Sequence, residues 1–430
     1  MKSLASGSYA LGACAVAAML AGCGGSQAPI AAPGVMLGLR GGSGASPAGE
    51  AARNFAVLFS FDQTDGSDPL GGLLDVNGTL YGTTWDGGAN ACGGAGCGAV
   101  FSISPTGKQK VLHNFGGNPD GYFPNAGLID VKGTLYGTTY GGGSSGHGTV
   151  FSITTAGKEK VLYSFAGSPD GATPSGGLLN VKGKLYGATA AGGNKTCSNT
   201  GYYACGVVFS VTTTGVEKVL YRFTGPPDGA NPQAPLIDVK GTLYGTTFFG
   251  GSAGSNCYNS QCGTVFSVTT SGKEAVLHSF AGPPDGEGPN GRLLNVRGIL
   301  YGTTFSGGDA PCGMTNPEGC GVVFNMTTAG KETVLYRFGG TPDAACADAG
   351  LLNVSGTLYG TTHYGGTHGY GTVYSVTTAG TEAVMHSFAR RANGPSSGGL
   401  LDVKNSLYGT TSGGDGRYGY GYGTLFTLKP

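Results

Sequence analysis

The sequence predicts an all-β fold: a seven-bladed β-propeller of four-stranded blades, its ring closed by the N-terminal strand joining the C-terminal blade. Three observations carry this. Leu-Tyr-Gly starts at Leu80, Leu135, Leu185, Leu243, Leu300, Leu358 and Leu407. A phrase close to Gly-Thr-Val-Phe starts at Gly98, Gly148, Gly206, Gly263, Gly321, Gly371 and Gly423. A phrase close to Val-Leu-Tyr-Ser-Phe starts at Val57, Val111, Val161, Val219, Val276, Val334 and Val384. Self-similarity at a period of roughly 50–58 residues belongs to propellers and solenoids.

Each repeat holds four strand-like runs. In the second, residues 127–131 form the first run and Lys132-Gly133 a tight hairpin turn. Residues 134–139 form the second run, and a Gly-rich loop leads to the third, 148–153. Ala156-Gly157 then turns the chain, the glycine being free to take positive φ, into the fourth run, 161–165. Val161, Tyr163 and Phe165 point one way and Leu162 the other, so the sheet is apolar on both faces. Blades packed between two neighbours around a ring cover both faces. The glycine of Leu-Tyr-Gly leaves room for an aromatic ring to approach. The fold begins with a lone fourth-type strand, 57–61, and ends with a third-type strand, 423–428. Together they complete one blade and leave no free edge, a complementarity an open solenoid does not need.

Ahead of the repeats lies a targeting pattern. Lys2 precedes an apolar stretch, 10–20, too short to span a bilayer. It ends in Leu20-Ala21-Gly22-Cys23, which resembles the bacterial lipobox, whose cysteine becomes the lipidated first residue. An ordinary secretory signal with a chance cysteine is the rival. The expected organisation is a lipoprotein signal peptide over 1–22, a flexible Gly/Ala/Pro tether over 23–53, and the propeller over 54–430. The resemblance implies lipidation at Cys23 and an exported, lipid-anchored protein of the bacterial cell envelope, with the membrane as a partner through that anchor. Glycine makes up 87 of 430 residues, charged residues are 11%, and net charge is zero. Such a chain lacks the basic footprint of a nucleic-acid binder, and a monomer with no nucleic-acid partner is expected.

The string Gly-Leu-Leu-(Asp/Asn)-Val-x-Gly-x-Leu-Tyr-Gly-Thr-Thr-x-x-Gly-Gly, followed by Gly-Thr-Val-Phe, resembles the GloVer (Gloeo-Verruco) tandem repeat of choice-of-anchor bacterial surface proteins. The resemblance covers about residues 56–428 and implies surface anchoring. It carries no catalytic motif to transfer.

Connections alternate between two faces. First-to-second and third-to-fourth turns are short and alike, as in Val131-Lys132-Gly133 and Thr155-Ala156-Gly157. Second-to-third and fourth-to-first loops are longer and differ between repeats, and such loops on a rigid scaffold are where function concentrates. Charge is expected to divide the same way. Lys108, Lys132, Lys158, Lys182, Lys240, Lys273, Arg297, Lys331 and Lys404, partly offset by Glu159, Glu217, Glu274, Glu332 and Glu382, fall on the short-turn face. Asp65, Asp86, Asp120, Asp170, Asp228, Asp285, Asp309, Asp343, Asp348 and Asp415 fall on the long-loop face, with few bases beyond Lys195, Arg390, Arg391 and Arg417. That face should attract cations or basic partners.

The cysteine pairs Cys92/Cys97, Cys197/Cys205, Cys257/Cys262 and Cys312/Cys320 each lie inside one second-to-third loop. In an exported protein they read as four local disulfides. Each loop offers two thiols and no nearby histidine pair, so zinc is not the expected tenant. Cys346 is left over.

Pro-Asp-Gly recurs at Asp120, Asp170, Asp228 and Asp285. An Asx turn is the first reading. Ca²⁺ is the one cofactor kept open, although calcium takes six or more oxygens and the spacing supplies one carboxylate per blade. Asp75, Asp130, Asn180, Asp238, Asn295, Asn353 and Asp402 read as hairpin caps. No catalytic set and no metal site are expected. His113, His278 and His386 alternate with Tyr in fourth strands and read as core.

One position suits recognition. After the second strand come Trp85, Tyr140, Ala190, Phe248, Phe305, His363 and Ser412. Aromatic side chains there, with Asp86 and Tyr364 beside them, suit sugar stacking and short hydrogen bonds. Inter-blade packing would produce the same variation, and both readings stand at this point. The expected function is a non-catalytic, envelope-tethered propeller binding a carbohydrate or a surface protein through its long-loop face. The alternatives are a propeller lyase or hydrolase acting on an extracellular polymer, with a site assembled from separate blades, and a structural surface protein.

Overall fold

The computed structural model describes residues 55–430 except 90, 195–204, 253–256, 258–260, 310–311, 313–318, 390–397 and 413–420. The expected signal peptide, Cys23 and the expected tether lie outside the described residues, as do Cys197, Lys195, Arg390, Arg391, Asp415 and Arg417.

In the first blade the strands Leu74–Val76, Thr79–Thr84, Ala99–Ile103 and Gln109–Asn114 are neighbours in chain order. The order recurs in every later blade. The seventh is built as expected from both chain ends: Ala56–Ser60 pairs antiparallel with Thr424–Leu428, with Val57 opposite Phe426. Most of the first-to-second hairpins are capped as expected, as where Gly133 N donates to Asp130 Oδ1 at 2.9 Å. Asp402 is the exception, because its turn closes through Val403 and Ser406 backbone groups instead.

First strands of successive blades touch one another and so line the ring's axis. A Cβ on Gly127 would lie 2.7 Å from Gly72 O, so glycine is required where the second blade's first strand enters, whereas Pro235 and Arg292 hold the equivalent position in the fourth and fifth blades. Around them the core is aromatic. Phe101, Phe151, Phe209, Phe266, Phe324, Tyr374 and Phe426 of the third strands are fully buried. Each ring lies over the Leu-Tyr-Gly glycine of its own blade; a Cβ on Gly82 would meet Phe101 Cζ at 2.5 Å. The same ring meets a fourth-strand phenylalanine of the preceding blade edge to face. Phe61–Phe101, Phe115–Phe151, Phe165–Phe209, Phe223–Phe266, Phe280–Phe324, Phe338–Tyr374 and Phe388–Phe426 make these pairs at 5.0–5.6 Å. All seven junctions are thus closed by one repeated contact, worth about 0.5–1.5 kcal/mol beyond area burial.

The expected division of charge between faces is corrected. Outer strands do not stand parallel to the axis, because strand twist accumulates across a blade. A Cβ on Gly157, in the third-to-fourth turn, would lie 2.5 Å from Leu112 O, well along the preceding blade's fourth strand. The start of each outer strand therefore sits beside the end of the one before. Glu159, Glu217, Glu274, Glu332 and Glu382 stand next to aspartates assigned to the opposite face.

Candidate functional site on the long-loop face

Among the described residues, the long crossovers from a fourth strand to the next first strand are stitched to both blades. Phe123 N donates to Cys97 O at 2.9 Å, and Tyr140 N donates to Phe123 O at 3.1 Å. Thr173 and Asn231 make the same two bonds in the next crossovers. This geometry places the stitching residue at positive φ: Asp68 53°, Phe123 59°, Thr173 52°, Asn231 61° and Cys346 59°. A bulky residue there costs about 1–2 kcal/mol. A short extra ladder accompanies the stitch, as where Gly121–Tyr122 pairs with Gly141–Gly142.

The stitch decides where the recognition residues stand. Trp85 of the first blade stacks on Phe123 at 4.9 Å and 13°, and tilts against Tyr140 of the second at 5.4 Å and 58°. Tyr122 meets Phe123 edge to face at 5.0 Å. All four stay partly accessible. Phe248 packs on Phe249 at 4.8 Å, and His363 on Tyr364 at 4.7 Å. Phe305 and Tyr364 pack against the core between the fifth and sixth blades. The predicted residues therefore form separate groups, of which Trp85, Tyr140 and Asp86 share the first two blades. The backbone of Asp86 pairs with Ser67.

Phe123 escaped the sequence reading, because nothing in its neighbourhood marks a phenylalanine for positive φ. A second feature also emerges only from the fold. Where the first strands enter, Asn125, Ser175, Gln233, Asn290 and Asp348 stand one per blade, half-buried. Asn290 Nδ2 donates to Asp348 Oδ1 of the next blade, and Gln233 Nε2 donates to Asn231 Oδ1 at 2.6 Å. Asn125 Oδ1 is buried with no hydrogen-bond partner. Arg292 stands just inside this rim. Its side chain is exposed, and desolvation by the surrounding protein lowers its pKa.

At the rim of the ring the Pro-Asp-Gly aspartates form the expected Asx turns. Asp170 Oδ2 accepts from Ala166 N at 2.9 Å, and Oδ1 from Gly171 N at 2.7 Å. Each also takes a bond the sequence reading missed. Tyr163, Tyr221 and Tyr336 donate their hydroxyls to Asp170, Asp228 and Asp343 at 2.8–2.9 Å. His113 and His278 hold the same place beside Asp120 and Asp285, Nε2 to Oδ2, at 3.1 and 3.3 Å. These two histidines are half-buried polar groups at blade junctions, which corrects their assignment to the core. His386 stacks on Phe55 at 4.0 Å. Onto each of the four Pro-Asp-Gly aspartates, and onto Asp343, which Ala344 follows in place of glycine, the next blade adds a glutamate. Burial first, and then the aspartate's charge, pushes Glu159, Glu217, Glu274, Glu332 and Glu382 up to about 7. Burial would raise Asp120 too, but the His113 and Gly116 hydrogen bonds hold it below its ordinary value.

The disulfides Cys92–Cys97, Cys257–Cys262 and Cys312–Cys320 form as expected. Cys205 is disulfide-bonded as well, and Cys197 lies outside the described residues. Cys346 is buried and takes part in no disulfide.

The model of the Gloeobacter/Verrucomicrobia repeat matches residues 38–199 and 195–426. No curated protein matches the sequence. Among solved structures, tricorn protease is 10% identical with a TM-score of 0.40; the match covers 80% of this chain and spans 27% of that one. YjhT is 13% identical, TM-score 0.41, over 76% of this chain and 99% of that one. A gluconolactonase from Xanthomonas campestris is 12% identical, TM-score 0.40, over 88% and 92%.

Proposed function

The chain belongs to the Gloeobacter/Verrucomicrobia repeat family, and from that premise we propose that it is an envelope-tethered, non-catalytic propeller that binds a carbohydrate through its long-loop face. In this reading Cys23 carries the lipid anchor, the propeller acts as a monomer, and the loop face looks away from the membrane. The supporting observation is the half-accessible aromatic group of Trp85, Phe123 and Tyr140 spanning two blades. The apolar face of a sugar ring stacks on such a group, and its hydroxyls need nearby short polar side chains. Asp86 and the rim residues Asn125 and Ser175 are of that kind.

The test is a screen of soluble residues 54–430 against glycans and cell-wall fragments, with and without Ca²⁺. A specific hit that weakens at least tenfold in Trp85→Ala and Tyr140→Ala, with folding retained, is the expected result. A blank on a folded sample overturns the carbohydrate reading and moves the search to surface-protein partners and to polymer turnover.

A further inference from the structure

We propose that the junction of His113, Asp120 and Glu159, and that of His278, Asp285 and Glu332, each bind a divalent transition-metal ion of the Zn²⁺ type. At each junction one imidazole nitrogen and two carboxylate oxygens lie within 4.8 Å of one another. The nitrogen and the aspartate oxygen are 3.1 and 3.3 Å apart. Ligand atoms about 2.0–2.1 Å from a tetrahedral ion sit about 3.3 Å from each other. The imidazole and the aspartate already have that spacing, and the glutamate, its oxygen within 4.8 Å of both, completes the site by drawing in. Three protein ligands leave a fourth position for water.

A second observation points the same way. Glu159 Oε1 and Glu332 Oε1 are buried with no hydrogen-bond partner, as are Glu217 Oε1, Glu274 Oε1 and Glu382 Oε1 at the tyrosine junctions, and Asp120 Oδ1 adds a second such acceptor at a histidine junction. Buried acceptors without donors are costly, and two adjoining carboxyl groups call for a positive charge between them. The ligands also come from rigid parts. Each histidine lies within a fourth strand, Gln109–Asn114 or Glu274–Ser279, and each glutamate opens the next, Glu159–Ser164 or Glu332–Arg337. Backbone N–H groups of Gly116 and Ala281 hold the aspartates at 3.0 and 3.1 Å.

The chain supplies its own controls. Tyr163, Tyr221 and Tyr336 occupy the histidine position at three other junctions and lock the aspartate by a simple hydrogen bond. The fold therefore does not require histidine there. A nitrogen ligand beside two carboxylates selects a borderline ion such as Zn²⁺ over Ca²⁺ or Mg²⁺. Bound, the ion would clamp the first blade to the second and the fourth to the fifth.

The test uses the full chain, prepared without a polyhistidine tag, dialysed against Zn²⁺ alone and assayed for bound metal and Tm. Two ions per chain are expected, matching the two clusters. His113→Tyr should bind one fewer, His113→Tyr/His278→Tyr none, and Tyr163→His one more. Zn²⁺ should raise the Tm of the wild type and leave that of the double variant unchanged. Tyrosine already serves at this position, so these variants should fold; Glu159→Gln/Glu332→Gln gives an independent pair. A wild type that binds no Zn²⁺, or variants of both pairs that keep the wild-type stoichiometry, would overturn the proposal.

Discussion

The paired carboxyl groups at the tyrosine junctions make the propeller's stability depend on pH in a calculable way. Glu217, Glu274 and Glu382 are held at about 7 instead of the ordinary 4.5. The folded state therefore keeps protons that the unfolded chain has released. Stability falls as pH rises from about 4.5, and the full loss is present above about 7. Without screening, such a displacement corresponds to about 3 kcal/mol per group. These glutamates are half-exposed, and solvent reduces that to about 1 kcal/mol each. Glutamine is neutral at every pH and occupies the volume of the protonated acid. The triple variant Glu217→Gln/Glu274→Gln/Glu382→Gln should thus gain about 3 kcal/mol over the wild type at about pH 8 if the three sites add. For a propeller of this length that is a Tm about 4 °C higher. At about pH 5 the gain should be much smaller, because the unfolded chain has begun to take up the same protons. Thermal denaturation followed by circular dichroism at both pH values measures the gap. A gap that stays constant with pH, or a triple variant that is less stable at the higher pH, would refute the reasoning.

Three further outcomes are expected. Gly137→Ala would place a methyl group 2.6 Å from Phe151 Cζ and 2.8 Å from Leu128 Cδ2; urea denaturation should show a loss of about 1–3 kcal/mol from overpacking. Removing residues 1–61 deletes the strand that pairs with Thr424–Leu428 and bares a sheet edge, so size-exclusion chromatography should find more aggregate than in the intact chain. Replacing Cys312 and Cys320 by Ala should cost about 2–3 kcal/mol in the same denaturation assay, because the bridge closes a short loop.

Much of the fold was legible because its signals are local. Asp130 caps its hairpin from three residues away, and Asp170 accepts from Ala166 and Gly171 beside it. The closing strand at 57–61 could be matched by type to the end of the chain. The site was less legible. Trp85 and Tyr140 were visible as aromatic variation at one repeat position, but Phe123, which joins them, sits at a backbone angle that phenylalanine does not favour. His113 and Asp120 are seven residues apart, a spacing the chain displays openly. Glu159 lies a blade further on, and no local pattern announces that it turns back to meet them.

The sequence by itself determined the number of blades, the four strand types within each, the route of ring closure and the pairing of neighbouring cysteines. Each of these follows from periodicity or from contacts within a few residues. Tertiary structure alone decided which residues of different repeats meet. Blade twist lays the outer strands around the rim, so it sets each glutamate against the preceding blade's aspartate and undoes a division of charge by face. The crossover stitch likewise brings Phe123 under Trp85. Both are consequences of accumulated geometry across a blade, and a linear repeat carries no mark of how far its sheet will turn.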